Sequence, residues 1–302
     1  MHAILKQPIE RALSSTGVGW LTRRRIVGKR LILAYHGIRP EGDPPAGERS
    51  LFIRQRDFAA HLDMLCEFAD VAALDRLDEE GDGRPRIAIT IDDAYRGAVR
   101  EGVQELVKRG LPATLFVAPG RLDGHVFWWD AFASTNGILD PKIRDHALQI
   151  LAGTEERIRA WAASEKIHTS HALPESARAA TRNELRSALK CPGITVGSHT
   201  WSHANLARLG ASEVLTEIAH SRAWLRAEFA EKALDWLAYP YGLDSVTAHL
   251  ALKDASYAGA LRISGGWHDS AHVSRFARPR LNIPAGLTVA GLRARMLGAV
   301  PA

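Results

Sequence analysis

Short apolar runs alternate with amphipathic stretches along most of the chain. Six of these runs are nearly continuously apolar, which is typical of parallel strands buried on both faces. They cover residues 31–36, 87–92, 113–117, 194–197, 236–239 and 257–263. We therefore expect a sheet built from these strands.

The amphipathic stretches between the runs predict helices. Phe58, Leu62 and Leu65 share one helical face behind Asp57, which we expect to cap the helix. A capping-box pattern, Thr-x-x-Glu at 181–184, marks the start of another helix. This alternation predicts an α/β fold with a parallel sheet, either open or closed into a barrel.

The alternation stops in two places, which suggests the domain organisation. Residues 124–180 are rich in alanine, charge and tryptophan without a clear strand, so we expect a helical insertion there. The barrel-like domain then covers residues 31–302, and residues 1–30 form a separate N-terminal arm.

The N-terminal arm carries the excess positive charge. Seven basic side chains and one acidic side chain give residues 1–30 a net charge of +6, so the rest of the chain sums to −1 within a total of +5. Such an arm favours contact with an anionic membrane surface, or simple exposure to solvent. Aromatic residues do not alternate with the basic ones, so we expect no nucleic-acid binding.

Other bulk features favour a cytoplasmic protein. The 302 residues, 46% of them hydrophobic, suffice for one large core. No run reaches the roughly 18 consecutive apolar residues of a membrane span, and no segment reads as a secretory signal. Two cysteines without CxxC spacing favour a reducing compartment. We expect a cytoplasmic protein, with the inner face of the membrane as the surface that the arm could bind.

Two groups of metal-type side chains come directly after predicted strands. Asp92 and Asp93 end one apolar run, and His199 and His203 follow another. Because the carboxyl ends of parallel strands meet at one edge of a sheet, we expect these side chains to lie close together. A carboxylate and two imidazoles can hold one divalent metal, and the second carboxylate can act as a general base.

Each group also has a plainer interpretation when taken alone. Adjacent aspartates often cap a helix, and paired histidines occur in cores and on surfaces. Two histidines and one carboxylate also occur in non-haem iron oxygenases, whose antiparallel fold does not suit the alternation seen here. A metal-dependent hydrolase is the better interpretation of both groups together.

A third motif, Ala-Tyr-Pro-Tyr-Gly at residues 238–242, follows another predicted strand and must turn sharply. The turn could direct the backbone N–H of Tyr241 into the site as an oxyanion donor. The alternative is an ordinary tight turn without a catalytic part.

Together these motifs resemble those of the polysaccharide deacetylases (NodB-homology, carbohydrate esterase family 4). The resemblance spans roughly residues 31–285 and implies metal-dependent removal of N-acetyl or O-acetyl groups from a glycan on a distorted (β/α)7 barrel. It rests on Ile-Thr-Ile-Asp-Asp at 89–93, Ser-His-Thr-Trp-Ser-His at 198–203, Tyr-Pro-Tyr-Gly at 239–242 and Tyr-His-Gly-Ile at 35–38.

The resemblance also implies roles for the matching residues. Asp93, His199 and His203 would bind the metal, which in the family is usually zinc, with cobalt or nickel also able to serve. Asp92 would take the proton from the attacking water, and the amide of Tyr241 would stabilise the oxyanion.

Two positions depart from the family's pattern. Ala238 stands where an arginine often orients the base, and Arg278 and Arg280 are the candidates to replace it, with surface positions as the alternative. Pro284 stands where the family has the histidine that acts as general acid, and proline cannot donate a proton.

Three histidines are therefore candidates for the proton donor: His36, His268 and His272. Each could equally be an ordinary loop histidine or a packed one.

The segment Phe-Trp-Trp-Asp at 127–130 is similar to an aromatic–Asp element of some family members. Trp129 could stack on a sugar ring, and Asp130 could bind a sugar hydroxyl or orient another residue. The alternative is that one tryptophan closes the end of the barrel while the insertion packs on the other.

The sequence thus predicts a deacetylase whose partner is an acetylated saccharide, either small or lipid-linked. The alternative is a catalytically impaired glycan-binding protein of the same fold, motivated by Ala238 and Pro284.

Overall fold

The computed structural model describes residues 26, 28–81, 83–169 and 172–297. Within them the chain forms ten strands, which are β1 (Arg30–Tyr35), β2 (Gly37–Arg39), β3 (Phe52–Arg54), β4 (Asp70–Val71), β5 (Arg86–Ile91), β6 (Ala113–Val117), β7 (Ile194–Ser198), β8 (Ala233–Ala238), β9 (Gly259–Ile263) and β10 (Arg278–Asn282).

Seven of these strands close into a parallel barrel. Their order is β1-β5-β6-β7-β8-β9-β10, and β10 pairs back with β1. The short β4 adds to β5 outside the ring, and β2 pairs with β3. The prediction of a distorted (β/α)7 barrel is therefore confirmed, and the open sheet that the alternation also allowed is not formed.

The six predicted strands all correspond to strands of the barrel, but the seventh was not predicted. Strand β10 has the sequence Arg-Pro-Arg-Leu-Asn, which lacks the apolar character expected of a buried strand. Its two arginines are nevertheless buried, Arg280 completely. Proline also disfavours a strand because it has no N–H for the ladder. Strand β10 was therefore not predicted because it carries buried charged side chains.

The helices surround the barrel, and their described bounds are α1 (Gln55–Phe68), α2 (Val103–Lys108), α3 (Trp128–Ala131), α4 (Pro141–Gln149), α5 (Glu155–Ser164), α6 (Arg182–Leu189), α7 (Ala211–Phe229), α8 (Val246–Asp254) and α9 (Val289–Met296). Three of them, α3 to α5, lie within residues 124–180, where the sequence predicts a helical insertion.

The caps agree with the prediction at one helix and differ at another. Helix α6 has the predicted capping box, in which Thr181 and Glu184 each accept a hydrogen bond from the other's backbone N–H. Helix α1 instead begins after Arg54, and Asp57 lies in its first turn and pairs with Arg54 at 2.6 Å. The apolar face behind it is buried as expected, because that face alone contacts the barrel.

The amino end of the barrel is closed by a short segment. Leu74 and Leu77 pack in one apolar cluster with Ile32, Phe116 and Trp236 from the strands. This cluster fills the interior with close-packed side chains, so the barrel is a core rather than a channel. Any site must therefore lie at an end.

Three arginines hold that closing segment in place. Arg30 and Arg86 are register partners at the starts of β1 and β5, and both donate to the backbone carbonyl of Glu79. Arg278 begins β10 and donates to the Asp78 carboxylate at 2.6 Å. These three arginine side chains thus bind the segment that closes the amino end of the barrel.

The described residues include no helix that is long and apolar enough to cross a membrane. Apart from residues 26 and 28–30, the basic arm predicted at 1–30 lies outside the described residues, so its contact with an anionic membrane stays a prediction.

Candidate metal and active site

The predicted metal ligands meet at the carboxyl end of the barrel. Asp92 and Asp93 follow β5, and their segment is held to β1 by a hydrogen bond from the Asp92 N–H to the Tyr35 carbonyl at 2.9 Å. Asp93 and His203 have φ values of 67° and 62°, in the left-handed region. Such sharp turns direct short polar side chains back over the strand ends, and they are rare enough to indicate a functional site.

Asp93, His199 and His203 form a compact ligand set. One donor atom from each lies within 4.8 Å of the others. The Asp93 Oδ1 atom is 3.1 Å from His203 Nε2 and 3.5 Å from His199 Nε2, yet it has no well-formed hydrogen bond among the described residues. A buried carboxylate oxygen in this position fits a divalent cation, and so does the donor set of two nitrogens and one oxygen.

The backbone of the third motif orients one of these ligands. His199 Nδ1 donates to the Ala238 carbonyl at 2.7 Å. With the proton on Nδ1, the lone pair of Nε2 faces Asp93, which is the tautomer that a metal ligand needs.

Arg280 holds the other aspartate in a bidentate ion pair. Its Nη1 and Nη2 atoms lie 2.7 Å from Asp92 Oδ1 and Oδ2, and Nη1 also contacts Thr90 Oγ1 at 3.0 Å. Burial alone would raise the pKa of Asp92, but the charge of Arg280 and then that of His199 keep this pKa below its ordinary value. Of the two arginines that the sequence left open as substitutes at Ala238, the structure brings Arg280 to the aspartate.

Asp92, Asp93, His199 and His203 line a cavity of about 170 Å³. Its floor contains the two aspartates and the two histidines, and its walls contain aromatic rings, which suits a sugar ring with few polar contacts. The other lining residues include His36, Glu48, Ser50, Trp128, Trp129, Leu139, Arg144 and Tyr241.

Of the three candidate proton donors, only His36 lies in this cavity. Its Nε2 atom is 3.9 Å from Asp92 Oδ2. Burial lowers the pKa of His36, and the charges of Asp92 and Asp93 oppose that effect. The imidazole is therefore mainly neutral, and it can donate a proton to a bound molecule only after it has accepted one.

The structure removes His268 and His272 from the candidates. The backbone of His268 exchanges hydrogen bonds of 2.8 and 2.9 Å with that of Arg30, at the amino end of β1. That strand has six residues, so its ends are about 20 Å apart and His268 lies at the wrong end. His272 is exposed and pairs with Asp269 at 2.9 Å.

The aromatic–Asp segment supports the cavity from behind. The Trp129 ring lines the cavity, with its centre 4.8 Å from that of His203, and its Nε1 donates to the Tyr95 hydroxyl at 2.8 Å. Asp130 is buried and accepts from that hydroxyl at 2.6 Å and from the Glu48 N–H at 2.8 Å. Burial raises the pKa of Asp130 to about 8. Asp130 therefore orients its neighbours, and the predicted contact with a sugar hydroxyl is not supported.

Tyr241 also lines the cavity, and its ring lies edge-on to that of Trp129, with the ring centres 6.0 Å apart. Its φ is 60°, so the backbone turns sharply within residues 240–242, directly after β8. Its hydroxyl accepts a hydrogen bond from Trp128 Nε1 at 3.2 Å, and its ring lies edge-on to His203. The amide predicted as the oxyanion donor thus belongs to a residue of the cavity wall.

A residue that the sequence analysis missed holds the loop between the two histidines. Glu217 on α7 accepts from the N–H groups of Trp201 and Ser202 at 2.9 and 2.8 Å, and from Ser202 Oγ at 2.6 Å. On the other side, Arg121 Nε donates to the Ser202 carbonyl at 3.0 Å. Helical spacing alone classes Glu217 as a surface residue of α7, so no sequence signal pointed to it.

Comparison with known proteins gives one matching family and a set of similar folds. The sequence model described as "Polysaccharide deacetylase" matches residues 79–260. The Streptococcus pyogenes deacetylase PplD, solved in complex with acetate, has a TM-score of 0.62 at 17% identity, covering 89% of this chain and 98% of that one. IcaB from Ammonifex degensii has a TM-score of 0.59 at 15% identity, covering 89% and 97%. No curated protein sequence matches the chain.

Proposed function

Because this chain belongs to the polysaccharide deacetylase family, we propose that it is a metal-dependent hydrolase that removes N-acetyl groups from a saccharide or lipid-linked glycan precursor. The observation that carries this proposal is the convergence of Asp93, His199 and His203 beside an aspartate held by Arg280. A deacetylase needs one ligand set and one base, and the two aspartates divide these tasks.

Asp93, His199 and His203 would hold a divalent cation, with zinc expected and cobalt or nickel as alternatives, and the cation would supply Lewis acidity to the acetyl carbonyl and to the attacking water. Their fit to such an ion rests on the buried Asp93 oxygen without a well-formed hydrogen bond and on the His199 tautomer.

Asp92 is the proposed general base. The fork of Arg280 fixes both of its oxygens, so the carboxylate is ionised and has one orientation. An ionised carboxylate at the floor of a cavity can accept a proton from a water that attacks an acetyl group above it. The Tyr241 amide would donate to the oxygen on which negative charge develops.

His36 is the proposed general acid in place of the family histidine that Pro284 replaces. It borders the same cavity, 3.9 Å from Asp92, so the proton that Asp92 takes from the water could pass to the His36 imidazole, which would then donate it to the amine that leaves the acetyl carbon. The pseudoenzyme alternative was motivated by the absence of an arginine at Ala238 and of an acid at Pro284. Arg280 and His36 offer replacements for both, which favours the enzyme.

The test is acetate release by the purified full-length protein, assayed after chelation and after addition of Zn²⁺ or Co²⁺. We expect release from an N-acetylhexosamine oligosaccharide only with metal, and a fall in kcat of about 100-fold or more in Asp92→Asn, the usual range for loss of a general base. A release rate that Asp92→Asn leaves unchanged would support the glycan-binding alternative.

A further inference from the structure

The acidic groups that line the cavity are already occupied within the protein. Asp92 pairs with Arg280. Glu48 accepts hydrogen bonds from Ser50 Oγ at 2.7 Å and from the Leu139 N–H at 2.7 Å. Asp93 faces the two histidines of the ligand set. Apart from Asp93, whose oxygen belongs to the proposed cation site, none of these carboxylates is free to bind a cation.

Arg144 is different from the other charged residues of this wall. It lines the same cavity from α4, its side chain is exposed, and it forms no ion pair or side-chain hydrogen bond with any residue that the structure describes. The nearest acid before it, Asp140, caps α4 by accepting from the Lys142 N–H at 2.8 Å. Asp145 is the next residue along the helix, so its side chain leaves the helix in another direction.

The position of Arg144 is fixed because α4 is tethered at both ends to the site. Before the helix, the Leu139 N–H donates to Glu48 on the cavity wall. Near its end, the Leu148 carbonyl accepts from Asn205 Nδ2 at 3.0 Å, and the Asn205 N–H donates to the Ala152 carbonyl at 2.8 Å. Asn205 is two residues from His203, so the helix and the metal-ligand loop form one unit.

Resting on the proposed deacetylase function, we propose that Arg144 recognises an anionic substituent, a phosphate or a carboxylate, on the saccharide whose acetyl group enters the cavity. A guanidinium without a protein partner at the rim of a binding site suits such a group because its planar fork can donate two parallel hydrogen bonds. With an uncharged polysaccharide, the N–H groups of Arg144 would donate hydrogen bonds only to water.

The experiment compares three substrates with the metal-loaded full-length protein. They are a neutral N-acetylglucosamine disaccharide, the same sugar carrying a 1-phosphate, and a disaccharide that joins it to a uronic acid. We expect a lower KM for at least one anionic substrate, and a KM in Arg144→Met that is raised about tenfold or more for that substrate alone, the effect of one charge-assisted hydrogen-bonded pair. Whichever anionic substrate responds identifies phosphate or carboxylate as the recognised group.

Lys142→Met is the matched control. Lys142 is exposed on the same helix, two residues earlier, and does not line the cavity. This control should leave every KM unchanged, whereas Arg144→Lys should keep part of the preference because it retains the charge but not the fork. Equal effects of Arg144→Met on neutral and anionic substrates, or no effect, would overturn the proposal.

A binding measurement separates this proposal from the proposed reaction. Titration calorimetry of each substrate into Asp92→Asn, with and without Arg144→Met, reports the Kd without turnover. We expect Arg144→Met to weaken only the anionic substrate, and the difference to shrink at high salt. If no substrate is deacetylated but this difference in Kd is present, the reaction proposal fails and the recognition proposal stands. If acetate is released but the Kd values do not differ, the recognition proposal fails and the reaction proposal stands.

Discussion

Strand β10 carries two arginine–aspartate pairs, one for each end of the barrel, and they differ in burial and in geometry. Arg280 is fully buried and grips Asp92 with two bonds of 2.7 Å. Arg278, two residues earlier, makes a single bond of 2.6 Å to Asp78, whose side chain is 45% exposed. The first pair orients a carboxylate at the active site, and the second fastens the segment that closes the other end.

The difference shows that the contribution of an arginine–aspartate pair to stability depends on how deeply the pair is buried. Removing one partner of a buried pair leaves a charge that water cannot solvate, whereas an exposed carboxylate simply becomes hydrated. Changes at β10 should therefore have large effects at the carboxyl end and small effects at the amino end. Substitutions of Arg280 and Arg278 test this contrast, and substitution of Glu217 adds a second contact at the carboxyl end.

Arg280→Met should have the largest effect. The unpaired Asp92 carboxylate would cost about 3–5 kcal/mol of stability, and loss of its orientation should lower kcat by about 10- to 100-fold. Denaturant unfolding and acetate release measure the two effects separately.

The double variant Arg280→Met/Asp92→Asn keeps this prediction testable if the single variant folds poorly. Without the buried charge it should recover most of the stability but none of the activity. A folded Arg280→Met protein with unchanged kcat would contradict the positioning role of Arg280.

Glu217→Ala should have an intermediate effect, and the effect should be on metal affinity. The loop between His199 and His203 would lose three hydrogen bonds, so we expect Zn²⁺ affinity to fall by about tenfold, as is usual when a residue that orients metal ligands is removed. Competition titration measures the Kd, and the visible spectrum of the Co²⁺-loaded protein reports ligand geometry.

Glu228→Ala is the control for that experiment, because Glu228 lies on the same helix and pairs with Arg186 away from the site. Glu217→Gln should recover part of the affinity, since its amide oxygen can still accept a hydrogen bond. A lower Tm with unchanged Zn²⁺ affinity would mean that Glu217 stabilises only the fold.

Arg278→Met should have the smallest effect, about 1 kcal/mol of stability or less, with kcat/KM unchanged. Burial alone would raise the pKa of Asp78, but the hydrogen bonds from Arg278 and Ser270 and the charges of Arg278 and Arg30 together outweigh it, so the pKa lies below its ordinary value. The stabilisation is therefore present above the unfolded pKa, near 4, and disappears as the pH falls through the folded value. Unfolding of both proteins at pH 7 and pH 3 should show a larger difference in stability at pH 7 than at pH 3.

The sequence predicted the parts of the fold whose local pattern matches their environment. Six apolar runs became barrel strands because a strand buried on both faces has to be apolar. The site ligands were predicted because the carboxyl ends of such strands converge, so the order of the motifs along the chain was enough to assign Asp93 and His199 to one place. The apolar runs and the motifs that follow them can each be recognised within a few consecutive residues, so they do not depend on contacts between distant residues.

The rest depended on contacts that no short window contains. Strand β10 was missed because Arg278 and Arg280 make it look polar, although each finds an aspartate partner at one end of the barrel. Glu217 looked like one more exposed acid, and its role exists only because α7 packs beside the histidine loop. His268 was a candidate for the proton donor on sequence grounds, and only its bridge to Arg30 places it at the far end of the barrel.

The ring of strands has a consequence for the order in which the protein matures. Asp92 and Arg280 are 188 positions apart, and they meet only when β10 inserts between β9 and β1. During synthesis on the ribosome, the aspartate and both histidines emerge well before that arginine does. A nascent chain could thus bring its proposed metal ligands together while the proposed base is still unoriented, and the complete site would form in a single step with barrel closure.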